Sequence, residues 1–333
     1  MAGPGSTWDV ARATAAAASD RFVGCLLGLA LGDALGAAYE GGPLERLVWR
    51  AIGRTREGRI RWTDDTQMSL DAAESLIANG RLDPDDLALR FARNYRWSRG
   101  YGPSAARLLK RVARGMHWRE ANRTEHPEGS FGNGGAMRAP VVGLFYAGRR
   151  DDLAAAARLS ASITHAHPLG MEGAALVASA TAGALGGARP VEVVEQAARI
   201  CVLGPFVTRL ETALRWLRST AEPGPAEVAG HLGNTTAAGE SCVAAVYLAA
   251  RFLDRSFLEL QAFVAAAGGD VDTIGAMAGA VWGAANGSAR LPADELRRLE
   301  AVERLSAIAA ALHARAVDAA DQRQDAARAN DVV

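Results

Sequence analysis

The sequence predicts an all-α protein, and three observations carry that prediction. Prolines stand just inside the starts of apolar-periodic stretches: "RLDPDDLALRFARNY" has Asp83 as N-cap, Pro84 at the first helical position and acids in the first turn, a pattern repeated at Pro190 and Pro292. Ala/Leu-rich runs such as "DDLAAAARLSASI" and "GMEGAALVASATAGAL" fill the intervals with strong helix formers. Alternating strand patterns are scarce, and the best, "RIRW" at 59–62, is short.

Taken in chain order, residues 1–19 are Ala-rich without a packing pattern and are expected to be flexible. "FVGCLLGLALGDALGAAYEGGP" follows, with Gly24, Gly28, Gly32 and Gly36 at every fourth position. On a helix these make a smooth stripe that another backbone can approach closely. Each mid-helix Gly costs roughly 1 kcal/mol relative to Ala, so four in register need a packing reason. "GGP" at 41–43 is expected to end this helix. The next helix starts at "TDDTQM", with Asp64 read as N-cap, Gln67 as its capping-box partner, and Met68, Ala72, Leu76 and Ile77 as the apolar face. Further on come the helix behind Asp83, the glycine-rich "GSFGNGGAMRAP" at 129–140, and "THAHPLGMEGA" at 164–174. "STAEPGPAE" at 219–227 is the most loop-like interval, yet the helices on both sides look alike. "GGDVDTIGAMAGAVWGAANG" at 268–287 carries a second series of small residues, Gly275, Ala278, Gly279 and Gly283. The expected division is one domain over 20–317, with a flexible tail at 318–333.

Composition excludes several classes. Of 333 residues 49% are hydrophobic, and 37 basic residues balance 37 acidic ones. That balance gives no electrostatic footprint for nucleic acid or a membrane surface. Cys25, Cys201 and Cys242 are too scattered for a zinc site or a disulfide framework, so a reducing cytoplasm is the expected location. The longest apolar run, ending at Asp33, is too short to span a membrane.

Four stretches carry chemistry, and each also has a plainer reading. Asp33 and Glu40 lie seven apart on nearly the same helical face, which either buries a hydrogen-bonded Asp33 or brings acids into a site. Capping explains one carboxylate of "TDDT" well and its neighbour only weakly. Asp270, Asp272 and Thr273 repeat the combination at a second helix start, more than two hundred positions away. Four acids brought together repel unless cations sit among them. Oxygen donors without Cys suit Mg²⁺, Mn²⁺ or Ca²⁺, and two such ions can share ligands and activate a water. Gly129, Gly132, Gly134 and Gly135 can aim backbone N–H groups at an anion or form a plain loop; neither GK[ST] nor GxGxxG is present. Phe131 can stack on a ring or anchor the loop. His165 and His167 can ligate or simply be hydrogen-bonded.

Together and in this order, "GCLLGLALGDALGAAYE", "WTDDTQM", "GSFGNGGAMR", "THAHPLG", "ESCVAAVYLAARF" and "GGDVDTIGAMAGAVWGA" resemble the ADP-ribosylglycohydrolase family. The resemblance spans residues 22–287. It implies a single compact orthogonal multi-helix bundle with a dinuclear site for Mg²⁺ or Mn²⁺ at helix N-termini. It implies cleavage of the glycosidic bond between C1″ of ADP-ribose and a modified protein or small-molecule acceptor by a monomer. Carried over by motif, Thr63, Asp64, Asp65, Asp270, Asp272 and Thr273 are the metal ligands. Ser130, Phe131, Gly132, Asn133, Gly134 and His165 hold ADP-ribose. Glu40, Asp64 and Asp65 are the candidates for general acid and base, and Asp33 supports them from behind. "YEGG" and "GSFGNGGAMR" resemble the branch acting on O-linked acceptors, serine or O-acetyl-ADP-ribose; the alternatives are an ADP-ribosyl-arginine hydrolase and a non-catalytic ADP-ribose binder. An all-α prenyl-diphosphate enzyme needs DDxxD, and Met68 breaks that pattern.

Overall fold

The computed structural model describes residues 7–39, 43–220 and 222–330, and among these it is helical with no named strand. Helix α1 (Thr7–Gly36) leads to α2 (Pro43–Ile52), α3 (Asp64–Asn79), α4 (Pro84–Asn94), α5 (Pro103–Ala113) and α6 (Trp118–Glu125). The middle of the chain forms α7 (Ala139–Phe145), α8 (Arg150–Ser162), α9 (Pro168–Leu185), α10 (Pro190–Ala198), α11 (Gly204–Leu217) and α12 (Pro225–Leu232). The chain closes with α13 (Ala238–Arg251), α14 (Phe257–Ala267), α15 (Val271–Asn286), α16 (Ala293–Arg298) and α17 (Val302–Asn330). Helices therefore reach into both ends that lack a packing pattern in the sequence.

The two glycine series face each other. A Cβ added at Gly24, Gly28 or Gly32 would fall on the carbonyl oxygen of Gly283, Gly279 or Gly275, and one at Gly36 on the backbone of Asp272. Helices α1 and α15 thus run antiparallel at backbone contact and form the most extensive helix pair of the molecule. Helices α9, α13 and α14 pack on α15, while α17 covers α1 and α3. Trp282 of α15 is fully buried, its ring N–H donating to the Phe252 and Arg255 carbonyls at 3.0 and 3.2 Å.

Helix starts follow the sequence signals, with corrections. Asp83 caps α4 as expected, accepting from the Asp85 and Asp86 N–H groups, both at 3.1 Å. The cap of α3 is Thr63 and not Asp64: extended backbone at Thr63 turns its hydroxyl to the Asp65 N–H, and Gln67 turns to Asp71 instead of closing a capping box. Helix α1 ends at Gly36, before the expected "GGP" stop, and Pro43 opens α2. "RIRW" makes isolated bridges only, Ile60 pairing with Arg54 and Leu299. The same contact interrupts the pattern expected to continue from Pro292. The Ile60 N–H donates to the Arg298 carbonyl, the Glu300 N–H donates to the Ile60 carbonyl, and Ala301 takes φ 57° between α16 and α17.

Candidate active site

Helix α1 seats both halves of the site. The Asp33 carboxylate, fully buried, accepts from the Thr63 N–H at 2.9 and 3.0 Å, the Thr66 N–H at 3.0 Å and the Thr66 hydroxyl at 2.5 Å. Burial raises its pKa to about 6, against the opposing pull of the Thr66 and Thr63 hydrogen bonds. Asp33 therefore fixes the first turn of α3, while the glycine seam fixes the first turn of α15.

The two helix starts meet through Asp65. The Thr63 hydroxyl lies 3.3 Å from Asp65 Oδ2, and the Thr273 hydroxyl lies 3.3 Å from both Asp65 oxygens. Asp272 Oδ1 accepts from the Thr273 N–H at 2.8 Å. Asn133 Nδ2 donates to Asp270 Oδ2 and, at 2.9 Å, to the Ser241 hydroxyl. The glycine loop is thereby tied to α15 and α13. Its backbone is held as well: the Asn133 N–H donates to the Thr236 carbonyl at 2.9 Å and the Ala238 N–H to the Phe131 carbonyl at 3.0 Å.

A cavity of about 330 Å³ opens over this meeting point. Asp64, Asp65, Asp270, Asp272 and Thr273 line it together with Ser130, Gly132, Asn133, Gly134 and His165. Larger hollows of about 600 Å³ along Phe22 and Val317, and about 460 Å³ along Ser179 and Gln196, contain none of the candidate residues. Thr63 is buried behind the wall as the cap of Asp65. Phe131 stands off the wall, 56% exposed and edge-on to His167 at 6.0 Å. Glu40 lies outside the described residues. The two histidines part company: His167 caps α9 through the Leu169 N–H at 3.1 Å, and only His165 faces the cavity. Desolvation pushes the His165 pKa down to about 3, with the charges of Arg138 and His126 adding to it.

Sequence reasoning missed Gly100, Gly102, Ser104, His126, Thr164 and Thr236 on the wall. The "GYGPS" stretch at 100–104, which runs into a proline helix start, was the one available signal for the first three. Among the described residues no group of three or more His, Cys, Asp or Glu side chains stands ready to hold a metal ion. By chemistry the donors fit a hard divalent cation nonetheless: carboxylates from two helix N-termini and the Thr273 hydroxyl, on short side chains, around one cavity, with the Thr63 hydroxyl directly behind.

Comparison with known proteins agrees with this fold. An ADP-ribosylglycohydrolase family profile matches residues 14–322. ADP-ribosylhydrolase ARH3 of Bos taurus is 34% identical over 90% of this chain and 94% of its own length. The Homo sapiens ARH3 is 33% identical over 90% and 94%. The ADP-ribosyl-[dinitrogen reductase] glycohydrolase of Rhodospirillum rubrum is 30% identical over 84% and 90%. A solved structure of an ADP-ribosylglycohydrolase-related protein complex superposes with a TM-score of 0.66 at 29% identity, covering 90% of this chain and 99% of that one. The molecule is a helical enzyme of the glycosidase class. The chain belongs to the ADP-ribosylglycohydrolase family.

Proposed function

We propose that the cavity binds ADP-ribose linked through C1″ to an acceptor oxygen and hydrolyses that bond with two divalent cations, Mg²⁺ first and Mn²⁺ in its place. The observation that carries this reading is the approach of the Thr273 hydroxyl to both oxygens of Asp65 at 3.3 Å, which joins two acid-rich helix starts under one glycine loop. Thr63, Asp64, Asp65, Asp270, Asp272 and Thr273 would hold the cations. Bound there, the ions would supply Lewis acidity and positive charge. Asp64, Asp65 or Glu40 takes a proton from the attacking water and returns one to the leaving acceptor oxygen, so that the C1″–O bond is replaced by a bond to water oxygen. The backbone at Gly132 and Gly134 faces the diphosphate, and His165 donates from the side. An O-linked acceptor, serine or the acetyl ester, is supported by the "YEGG" and "GSFGNGG" motifs, which resemble the branch acting on such acceptors. Three buried, free cysteines suit the cytoplasm, and among the described residues no helix is long and apolar enough to cross a membrane.

The test is release of free ADP-ribose from two peptides, one modified on serine and one on arginine, each with Mg²⁺, Mn²⁺ or chelator. Metal-dependent release from the serine peptide, lost in Asp270→Ala, is expected. Release from the arginine peptide alone would overturn the acceptor assignment. Turnover that survives chelation and the Asp270→Ala change would overturn the metal reading.

A further inference from the structure

The "GAMR" end of the glycine motif has no role in the chemistry above, yet it places a buried cation beneath the loop. Arg138 is fully buried, and its three described acceptors are neutral. One guanidinium nitrogen donates to the Gly134 carbonyl. The other donates to the Ser160 carbonyl at 2.7 Å and to the Thr164 hydroxyl at 3.0 Å. Burial lowers the Arg138 pKa to about 9, which leaves it charged at neutral pH. The Thr164 hydroxyl, itself buried, stands 2.8 Å from His165 Nδ1.

A hydroxyl has one proton. The Thr164 oxygen already accepts from Arg138, so its own proton has one described acceptor, the Nδ1 lone pair of His165. The opposite arrangement, Nδ1–H donating to Thr164, would leave a buried O–H without an acceptor, at a cost of about 1–3 kcal/mol for the missing bond. The ring edge left over carries Nε2. It lies against the loop, where a Cβ added at Gly132 would come 3.3 Å from Nε2 and one at Gly134 2.9 Å from it. His165, Gly132 and Gly134 all line the cavity.

We propose that Arg138 and Thr164 are positioning residues that lock His165 in its Nε2–H tautomer, making it a fixed neutral donor to an anionic oxygen held over the Gly132–Gly134 loop. The low pKa of His165 agrees with this, because a neutral ring keeps one proton and therefore one direction of donation. The ligand class is a diphosphate or phosphate oxygen, and this assignment rests on the ADP-ribose reading above. Arginine at 138 adds directionality that a lysine lacks, since its planar fork reaches the loop carbonyl and Thr164 at once.

The test uses the full chain, with ADP-ribose as the binding probe and ¹⁵N NMR of the His165 ring in ligand-free protein as the independent readout. Wild type is expected to show protonated Nε2 and unprotonated Nδ1. Thr164→Val is expected to mix the tautomers and weaken ADP-ribose binding about tenfold, the size of one hydrogen bond to a charged group. Thr164→Ser is expected to restore both. In a His165→Gln background, Thr164→Val is expected to have no further effect on binding. Protonated Nδ1 in the wild type would overturn the proposal whatever the protein binds. So would a tenfold effect of Thr164→Val that persists in the His165→Gln background, because it would mark a structural role alone. A correct tautomer in a wild-type protein that binds no ADP-ribose would sink the ligand reading and, with it, the donor role.

Discussion

Replacing Asp71 with Asn is expected to make the enzyme more stable at pH 8 than at pH 5, measured relative to wild type. Asp71 is fully buried on α3, six residues beyond Asp65. Its Oδ1 accepts from Asn94 Nδ2 at 2.7 Å and Gln67 Nε2 at 3.3 Å, while Oδ2 has no hydrogen-bond partner among the described residues. Desolvation raises its pKa from 3.8 to about 7, with the Asn94 and Gln67 bonds opposing. Between those values the folded chain holds a proton that the unfolded chain has lost. Stability therefore falls as pH rises from about 4 to about 7 and is level above that. The shift of about three units corresponds to roughly 4 kcal/mol, of which about 2.3 kcal/mol lies between pH 5 and pH 7. Asn keeps the accepting oxygen at Oδ1 and carries no ionisation. Urea unfolding of both proteins at pH 5, 6.5 and 8 reads the difference directly. The variant should gain on wild type by roughly 2–3 kcal/mol across that range. Parallel stability profiles would refute a buried, proton-holding Asp71.

Two other perturbations test the seating of the site. Gly28→Ala sets a methyl against the Gly279 carbonyl, where neither backbone can rotate away; overpacking of about 3 kcal/mol less a helix-propensity gain of about 1 predicts a net loss near 2 kcal/mol. Gly230→Ala on α12 meets open space and should gain about 0.5–1 kcal/mol, so thermal melts that move both variants the same way would refute the seam. Asp33→Asn sets an amide N–H₂ among the Thr66 N–H, Thr66 hydroxyl and Thr63 N–H donors and should cost about 3 kcal/mol, with turnover falling as α3 loses its seat. Unchanged melting and turnover would show that Asp33 is incidental.

What the sequence disclosed was what local rules control. The Asp83–Pro84 helix start needs only its own neighbours, whereas the two histidines of "THAHP" stay undivided in the sequence and only the structure shows His167 capping α9. What it withheld depends on distant partners. Asp64 reads as a cap until Asp33 is seen holding the N–H of Thr63, thirty residues on, and turning Thr63 into that role. The stretch after Pro292 reads as continuing helix until Ile60 is found bridging to Leu299. Thr236 offers no local sign at all: it enters the wall because its carbonyl receives the Asn133 N–H.

The glycine stripes were visible, but their meaning lies in the register they set. Three mid-helix glycines on α1, Gly24, Gly28 and Gly32, cost about 3 kcal/mol in propensity if each costs roughly 1. A looser pair of apolar helices would avoid that cost and still build a core. It would not fix α15 along α1, because side chains that interdigitate at a wider spacing tolerate repacking. Backbone contact every fourth residue allows one alignment, and sliding by a turn moves a helix about 5.4 Å. Asp33 sits on the same helix, one turn before Gly36, and holds the other half-site by four contacts. One rigid helix thus spaces Asp65 from Thr273, and tolerance to error at that spacing is far smaller than a helical turn. On this reasoning the glycines nearest the site, Gly32 and Gly36, should affect turnover more per unit of lost stability than Gly24, at the far end of the seam. Equal ratios of activity loss to stability loss for Gly24→Ala and Gly36→Ala would show that the seam only builds the core.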